Sequence, residues 1–346
     1  MSRVVLITGV SRDLGARLAR SLAGRHEVVG LDLTPPRREL AGVSFVRADL
    51  RSPALVGILD RYRIDTVVHC GLLDDDGVPS AAAAKDANIL GTMQLVAACQ
   101  QSPGVRKVVL RSTGQVYGSS PLDPARYAED TAPRRPPRSG SARAAREMES
   151  FISGLGDRRP DVVVTTLRLA NLIGGGTDSP LARWLAMPVV PRPIGFNARL
   201  QFLHPADAVT ALGLAVDRDL PGTFNVGAPD TVCLNQVLRM LGRPAVPLWA
   251  GTPGLLGLGR RARVIPYTSE QVRGVTWGRL LDTTRFDSAT GFTPHYSSRR
   301  AVEEFAAFGA PGLLSAEVID RVVHQVTRVL PKPPAVRRPH PERVPT

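Results

Sequence analysis

Residues 3 to 15, RVVLITGVSRDLG, run an apolar β-type segment straight into a glycine-bearing turn and the start of an amphipathic stretch. A strand that passes so quickly into a helix belongs to a helix-covered sheet, because the chain must cross over before it can lay down the next parallel strand. The pattern then repeats. Apolar runs at 3–8 (RVVLIT), 27–32 (EVVGLD), 44–48 (SFVRA), 65–70 (DTVVHC), 106–112 (RKVVLRS) and 162–168 (VVVTTLR) alternate with helical stretches that include 14–24, 52–61 and 81–101. Strands this apolar on both faces predict an α/β fold with a doubly wound parallel sheet.

After NLIGGG (171–176) glycine and proline rise and the elements shorten, with helices near 205–217 and 233–241. The expected organisation is a nucleotide-binding domain over 1–174 and a smaller C-terminal substrate lobe over 175–312, partly interleaved with it. A C-terminal helix over 313–330 and a disordered Pro/Arg-rich tail over 331–346 (PKPPAVRRPHPERVPT from 331) complete the chain.

Composition narrows the partners. There is no run of about 18 apolar residues to span a bilayer and no secretory cleavage pattern at MSRVVLITGV, so a cytoplasmic protein without a membrane span is expected. Cys70, Cys99 and Cys233 lack metal-ligand spacing, which predicts free thiols and no metal. The formal charge of +13 points to an anionic partner. Nucleic acid is not expected, because only 5% of residues are aromatic and neither a stacking platform nor a recognition-helix motif is present. Of the 44 basic residues only Lys85, Lys107 and Lys332 are lysines.

The turn after the first strand suits a dinucleotide. Gly9 permits the tight turn, Gly15 the close approach of the helix, and Ser11, Arg12, Asp13 and Leu14 lie between them at a helix N-terminus, where backbone amides face a pyrophosphate. Arg12 stands where a third glycine is usual. Asp32 ends the second strand, placed to accept hydrogen bonds from the adenosine ribose and to repel a 2′-phosphate. NAD is therefore expected, with NADP left open by Arg12, Arg37 and Arg38.

These residues, with a series of downstream motifs, resemble the NAD-dependent epimerase/dehydratase family of extended short-chain dehydrogenases/reductases, whose best-known members are UDP-glucose 4-epimerases. The resemblance covers about 3 to 310. RADLR (47–51) is similar to the family's adenine-side segment, giving Asp49 and Leu50. VVHCG (67–71) resembles the loop under the cofactor, giving Cys70 and Gly71, and NILGT (88–92) gives Asn88. STGQVYG (112–118), LRLANLIG (167–174), FLHPADA (202–208), FNVG (224–227) and LDTTR (281–285) resemble the remaining signatures in order. The resemblance implies a Rossmann-type fold, a nucleotide sugar or related carbinol as the small-molecule substrate, and a possible homodimer through helices at about 81–101 and 141–154. Residue by residue, Asn88 also reads as a helix-to-strand tie and Asp207 as a helix cap.

The chemistry of such a family rests on a tyrosine, a lysine four residues later on the same helix face, and a Ser or Thr. Thr113 matches the last. The tyrosine position falls on Ser141 and the lysine position on Ala145, in PRSGSARAAREME (137–149), and no Tyr-x-x-x-Lys occurs anywhere in the chain. A serine hydroxyl is too weak an acid to replace a phenol unaided. Tyr117 is the candidate substitute, with Tyr127 as the alternative on the same sheet edge. On the substrate side Asn171 is retained, while the arginine commonly found four residues before His204 is Leu200, leaving the adjacent Arg199 as the candidate, with Arg183 and Arg192 as further options. Two readings follow: an enzyme of the family with a non-standard active site, or a catalytically silent NAD(P)-binding sensor or scaffold.

Overall fold

The computed structural model describes residues 2–72, 81–138, 140–248 and 269–309. Its centre is a seven-stranded parallel sheet built from β1 (Val4–Thr8), β2 (Glu27–Asp32), β3 (Val43–Arg47), β4 (Thr66–His69), β5 (Lys107–Thr113), β6 (Val163–Leu169) and β11 (Gly222–Val226). The order across the sheet is β11-β6-β5-β4-β1-β2-β3. The switch in direction falls between β1 and β4, where a doubly wound sheet opens its ligand crevice.

Helices α1 (Asp13–Leu22), α2 (Leu55–Arg61), α3 (Ala81–Gln101) and α4 (Gly140–Arg158) connect the strands. In α1 the buried residues are Gly15, Leu18, Ala19 and Leu22, a single stripe at helical spacing. The smaller elements are β7 (Asn171–Leu172), α5 (Pro180–Leu185), β8 (Val190–Pro193), β9 (Arg199–Leu200), β10 (Phe202–Leu203), α6 (Pro205–Asp217), β12 (Val232–Cys233), α7 (Leu234–Met240), β13 (Ala245–Leu248), α8 (Ser269–Trp277), α9 (Thr284–Thr290) and α10 (Ser298–Phe308).

The division at residue 174 is crossed repeatedly. Leu203, the buried face of α6, Phe224 and Val226 of β11, and Leu281, Phe286 and Phe292 all pack into the core of the central sheet. A second core forms around Trp184, Leu185, Phe202, Leu234, Val237 and Val302. The segments that build it alternate along the chain with returns to the sheet. The expected helix over 313–330 and tail over 331–346 lie outside the described residues.

Two polar devices fix α6. His204 caps its N-terminus, accepting from the Ala206 amide, and Pro205 fills the first helical position. At the other end the buried Lys107 ammonium donates to the carbonyls of Val216 (3.0 Å) and Arg218 (2.7 Å) and pairs with Asp219. Carbonyls that the helix leaves unsatisfied are thereby answered from β5.

Candidate active site

The glycine turn has the form the sequence predicts, and the geometry shows why side chains are excluded from it. Gly9 has φ of +71°, and a Cβ there would meet the Gly71 Cα at 2.9 Å. A Cβ on Gly15 would lie 2.3 Å from the Gly9 carbonyl oxygen. The turn between β1 and α1 therefore sits directly on the β4 loop, with the α1 N-terminus beside it. Arg12 is the N-cap residue in extended conformation, makes no side-chain cap, and is exposed with Asp13; Ser11 and Leu14 are less so. Asp32, at the end of β2, accepts from the amides of Ser11 (3.1 Å) and Leu33 (2.7 Å), which aims its carboxylate at the same crevice. Bare backbone at a helix N-terminus, with a carboxylate one strand away, fits a dinucleotide.

The remaining cofactor-side residues divide. Leu50 packs against α3 at Gly91. Asp49 is bound by the Arg51 guanidinium at 2.6 Å, an interaction that lowers its pKa. Cys70 is buried, and burial pushes its thiol up to about 12, so it lines the loop as an apolar group. Asn88 is buried, and its carbonyl accepts from Thr92 Oγ1. That bond commits the Thr92 proton, so Thr92 Oγ1 accepts from His69 Nε2 (3.0 Å) and His69 Nδ1 accepts from Thr8 Oγ1 (2.6 Å). Burial lowers the His69 pKa to about 4, consistent with the neutral ring this chain of bonds requires.

At the end of β5, Thr113 is half-buried, and its hydroxyl accepts from the Gln115 amide at 3.3 Å. Ser141 is half-buried in the first turn of α4, and Ala145 is 1% exposed on the same face. One turn beyond Ala145 on that face, Glu149 accepts from Ser112 Oγ and forms a paired contact with Arg168 at 2.7–3.2 Å.

Tyr117 belongs to this buried network and not to the cleft. Its hydroxyl donates to Asn225 Oδ1 (2.9 Å) and accepts from Arg168 Nη1 (2.7 Å), and its ring stacks on Tyr127 at 4.7 Å. It is 1% exposed, and burial raises its pKa. Both polar contacts of the phenol are thus within the protein, at a position away from the cleft lining. Tyr127 is likewise buried, and Tyr296 stacks on His204.

Above the strand ends lies a cleft whose lining includes Gln115, Arg135, Asn171, Leu200, Arg273 and Arg279. Asn171 and Leu200 are therefore cleft residues. Arg199 is not: alternation along β9 turns it to the opposite side, where it is exposed and borders a groove with Asp123 and Trp277. Arg183 pairs with Asp178, and Arg192 donates to Asn235. The arginines of the cleft are ones the sequence reading did not select. Arg279 is the best defined, donating to the Gly118 carbonyl (2.7 Å) and to Ser119 Oγ (2.9 Å). Its signal was its place three residues before Asp282 of LDTTR. Asp207 accepts from the amides of His295 and Tyr296, so the His-x-x-Asp segment serves to tie the chain. Among the described residues there is no cluster of three or more potential metal-binding side chains and no helix long and apolar enough to cross a membrane.

A parallel sheet with a glycine turn, an acid at the end of β2 and a cleft over the β5 and β6 ends defines a dinucleotide-binding α/β protein. The chain belongs to the NAD dependent epimerase/dehydratase family, whose model matches residues 5–227. It is 40% identical over 312 residues to "Uncharacterized protein Rv0501" of Mycobacterium tuberculosis, covering 88% of this chain and 83% of that one. It is 26% identical over 319 residues to the dTDP-4-dehydro-6-deoxy-D-allose reductase of a Streptomyces species, covering 80% and 97%. In fold it is similar to MoeE5, solved in complex with UDP-glucuronic acid and NAD, at a TM-score of 0.67 and 24% identity over 88% of this chain and 98% of that one.

Proposed function

We propose that this protein binds NAD in the Gly9–Gly15 turn and a nucleotide sugar, or a related anionic carbinol, in the cleft beside Asn171 and Arg279, and acts on it through a non-standard active site. The observation that carries the reading is the pairing of an intact cradle with a vacated helix face. Gly9, Gly15 and Gly71 let the β1 turn, the start of α1 and the β4 loop pack closely, where a Cβ on any of them would crowd its neighbours, while Ser141 and Ala145 replace the groups that would exchange a proton.

In this reading the amides at the α1 N-terminus take the pyrophosphate and Asp32 takes the adenosine ribose hydroxyls. An acid at that position favours NAD over a cofactor bearing a 2′-phosphate. Bound NAD supplies a hydride acceptor. Thr113 orients the substrate hydroxyl, and Arg279, fixed by Gly118 and Ser119, offers charge to a phosphate. With no phenol or ammonium on α4, the carbinol proton passes to solvent. Loss of a positioned acid/base typically costs about 10²–10⁴ in rate, so slow turnover is expected. The similarity to a sugar-nucleotide reductase, and to a protein that binds UDP-glucuronic acid, supports the substrate class.

The second reading, a silent cofactor-binding sensor or scaffold, draws on the burial of Tyr117 and Tyr127, which leaves neither phenol to substitute. One experiment separates the two. The purified chain is analysed for bound dinucleotide and mixed with a panel of nucleotide sugars while NADH absorbance and epimer formation are followed. Turnover that disappears in Thr113→Ala supports the enzyme; cofactor binding with no product across the panel supports the sensor.

A further inference from the structure

Arg111 stands two residues before Thr113 on β5, on the same strand face, while Ser112 between them points the opposite way to Glu149. Arg111 is half-buried, and its Nε is fully covered without a hydrogen-bond acceptor. Neighbouring arginines at similar depth are answered: Arg168 by Glu149 and Arg159 by Asp161, each at 2.7 Å. No carboxylate among the described residues pairs with Arg111. A covered N–H donor with no acceptor costs free energy, so this guanidinium keeps hydrogen-bonding capacity for something that arrives.

The register says from where. His69 lies opposite Leu110, which sets Cys70 beside Arg111, and the Arg111 charge partly offsets the burial-driven rise of the Cys70 thiol. The next residue, Gly71, is the one in close contact with the Gly9 turn. In the order β2-β1-β4-β5, the ribose-binding Asp32 comes first, the pyrophosphate turn second and Arg111 last. Arg111 is then two strand spacings, about 10 Å, from β1. A dinucleotide that starts on Asp32 and crosses the glycine turn brings its second half over β4 and β5.

We propose that Arg111 grips the nicotinamide-side ribose phosphate of the dinucleotide, supplying from β5 the positive charge that α4 lacks at Ala145. The inference rests on the dinucleotide reading above. A guanidinium matches a phosphate with paired donors but does not trade a proton at working pH. Arg111 therefore anchors the cofactor without restoring the missing acid/base.

The test is a binding titration of the full chain with NADH, ADP-ribose and AMP, comparing wild type, Arg111→Gln and Arg111→Lys. A charge-assisted contact of this kind predicts about 10- to 100-fold weaker binding of NADH and ADP-ribose to Arg111→Gln, a smaller loss for Arg111→Lys, and no change for AMP. The melting temperature of ligand-free Arg111→Gln should be no lower than that of wild type, because the substitution removes a covered Nε–H that nothing accepts. Equal NADH affinity in wild type and Arg111→Gln overturns the proposal and leaves the dinucleotide reading standing. Equal losses on all three ligands, with a lowered melting temperature, overturn it in favour of a structural role. A wild-type chain that binds none of the three overturns both.

Discussion

Replacing Tyr117 by phenylalanine removes one oxygen from the network that joins β5, α4, β6 and β11. Arg168 loses one acceptor but keeps the Glu149 carboxylate and the Glu129 carbonyl, so its charge stays answered. Asn225 fares worse: its Oδ1 is buried and loses the hydroxyl that donates to it. The ring stack on Tyr127 survives. A buried acceptor left without its donor costs about 1–3 kcal/mol, so the variant should be less stable by about 2 kcal/mol. For a chain of this size that corresponds to a fall in Tm of roughly 3 °C, read by thermal and urea unfolding. NADH affinity and any turnover should stay within about twofold of wild type, since Tyr117 does not face the cleft. An unchanged Tm with turnover reduced about 100-fold, the scale expected for loss of a general acid/base, would refute the reasoning and make Tyr117 the displaced acid/base.

Other perturbations test other parts of the account. His69 is held neutral, with a folded pKa of about 4 against about 6.5 when unfolded. The unfolded chain binds the extra proton between those values, so this stability is complete above pH 6.5 and is lost as pH falls toward 4, by up to about 3 kcal/mol. Urea midpoints measured across that range should show the slope in wild type and a much flatter one in His69→Gln; equal slopes would contradict the assignment. Lys107→Met leaves the Val216 and Arg218 carbonyls unanswered and should cost about 1–3 kcal/mol, whereas an equally stable variant would show that the lysine cap contributes nothing. Gly15→Val drives a side chain into the Gly9 carbonyl and should weaken NADH binding by about tenfold or more, read by titration against wild type.

The sheet was legible because its strands are short apolar runs with little to confuse them. The run at 27–32 is recovered residue for residue as β2, and those at 3–8 and 65–70 overrun β1 and β4 by one residue at one or both ends. Helix ends were less legible, as α2 begins at Leu55 where 52 was expected, because Ser52 and the residues around it form turns that apolar periodicity does not register. The seventh strand was missed as a strand: FNVG was legible as a signature, but only the fold shows that it returns to pair with β6. In the site, the form of the glycine turn and the place of Asp32 at the end of β2 were legible because both are set by backbone and local spacing. The orientations of Arg199 and Tyr117 were not, since which way each side chain turns is decided by strand alternation and by partners far along the chain, Asn225 being 108 residues from Tyr117. The isolation of Arg111 is likewise a property of three neighbouring strands, and no spacing within the sequence announces it.

The central claim is that this chain keeps the dinucleotide cradle and has vacated the acid/base face of α4. It is tested most directly by turnover of a nucleotide-sugar panel by wild type and by the double variant Ser141→Tyr, Ala145→Lys, with NADH affinity and Tm measured on both to establish that each is folded and loaded. The account predicts comparable NADH binding and turnover by the double variant at least about 100-fold above wild type. Wild-type turnover equal to or faster than that of a folded, cofactor-binding double variant would contradict it.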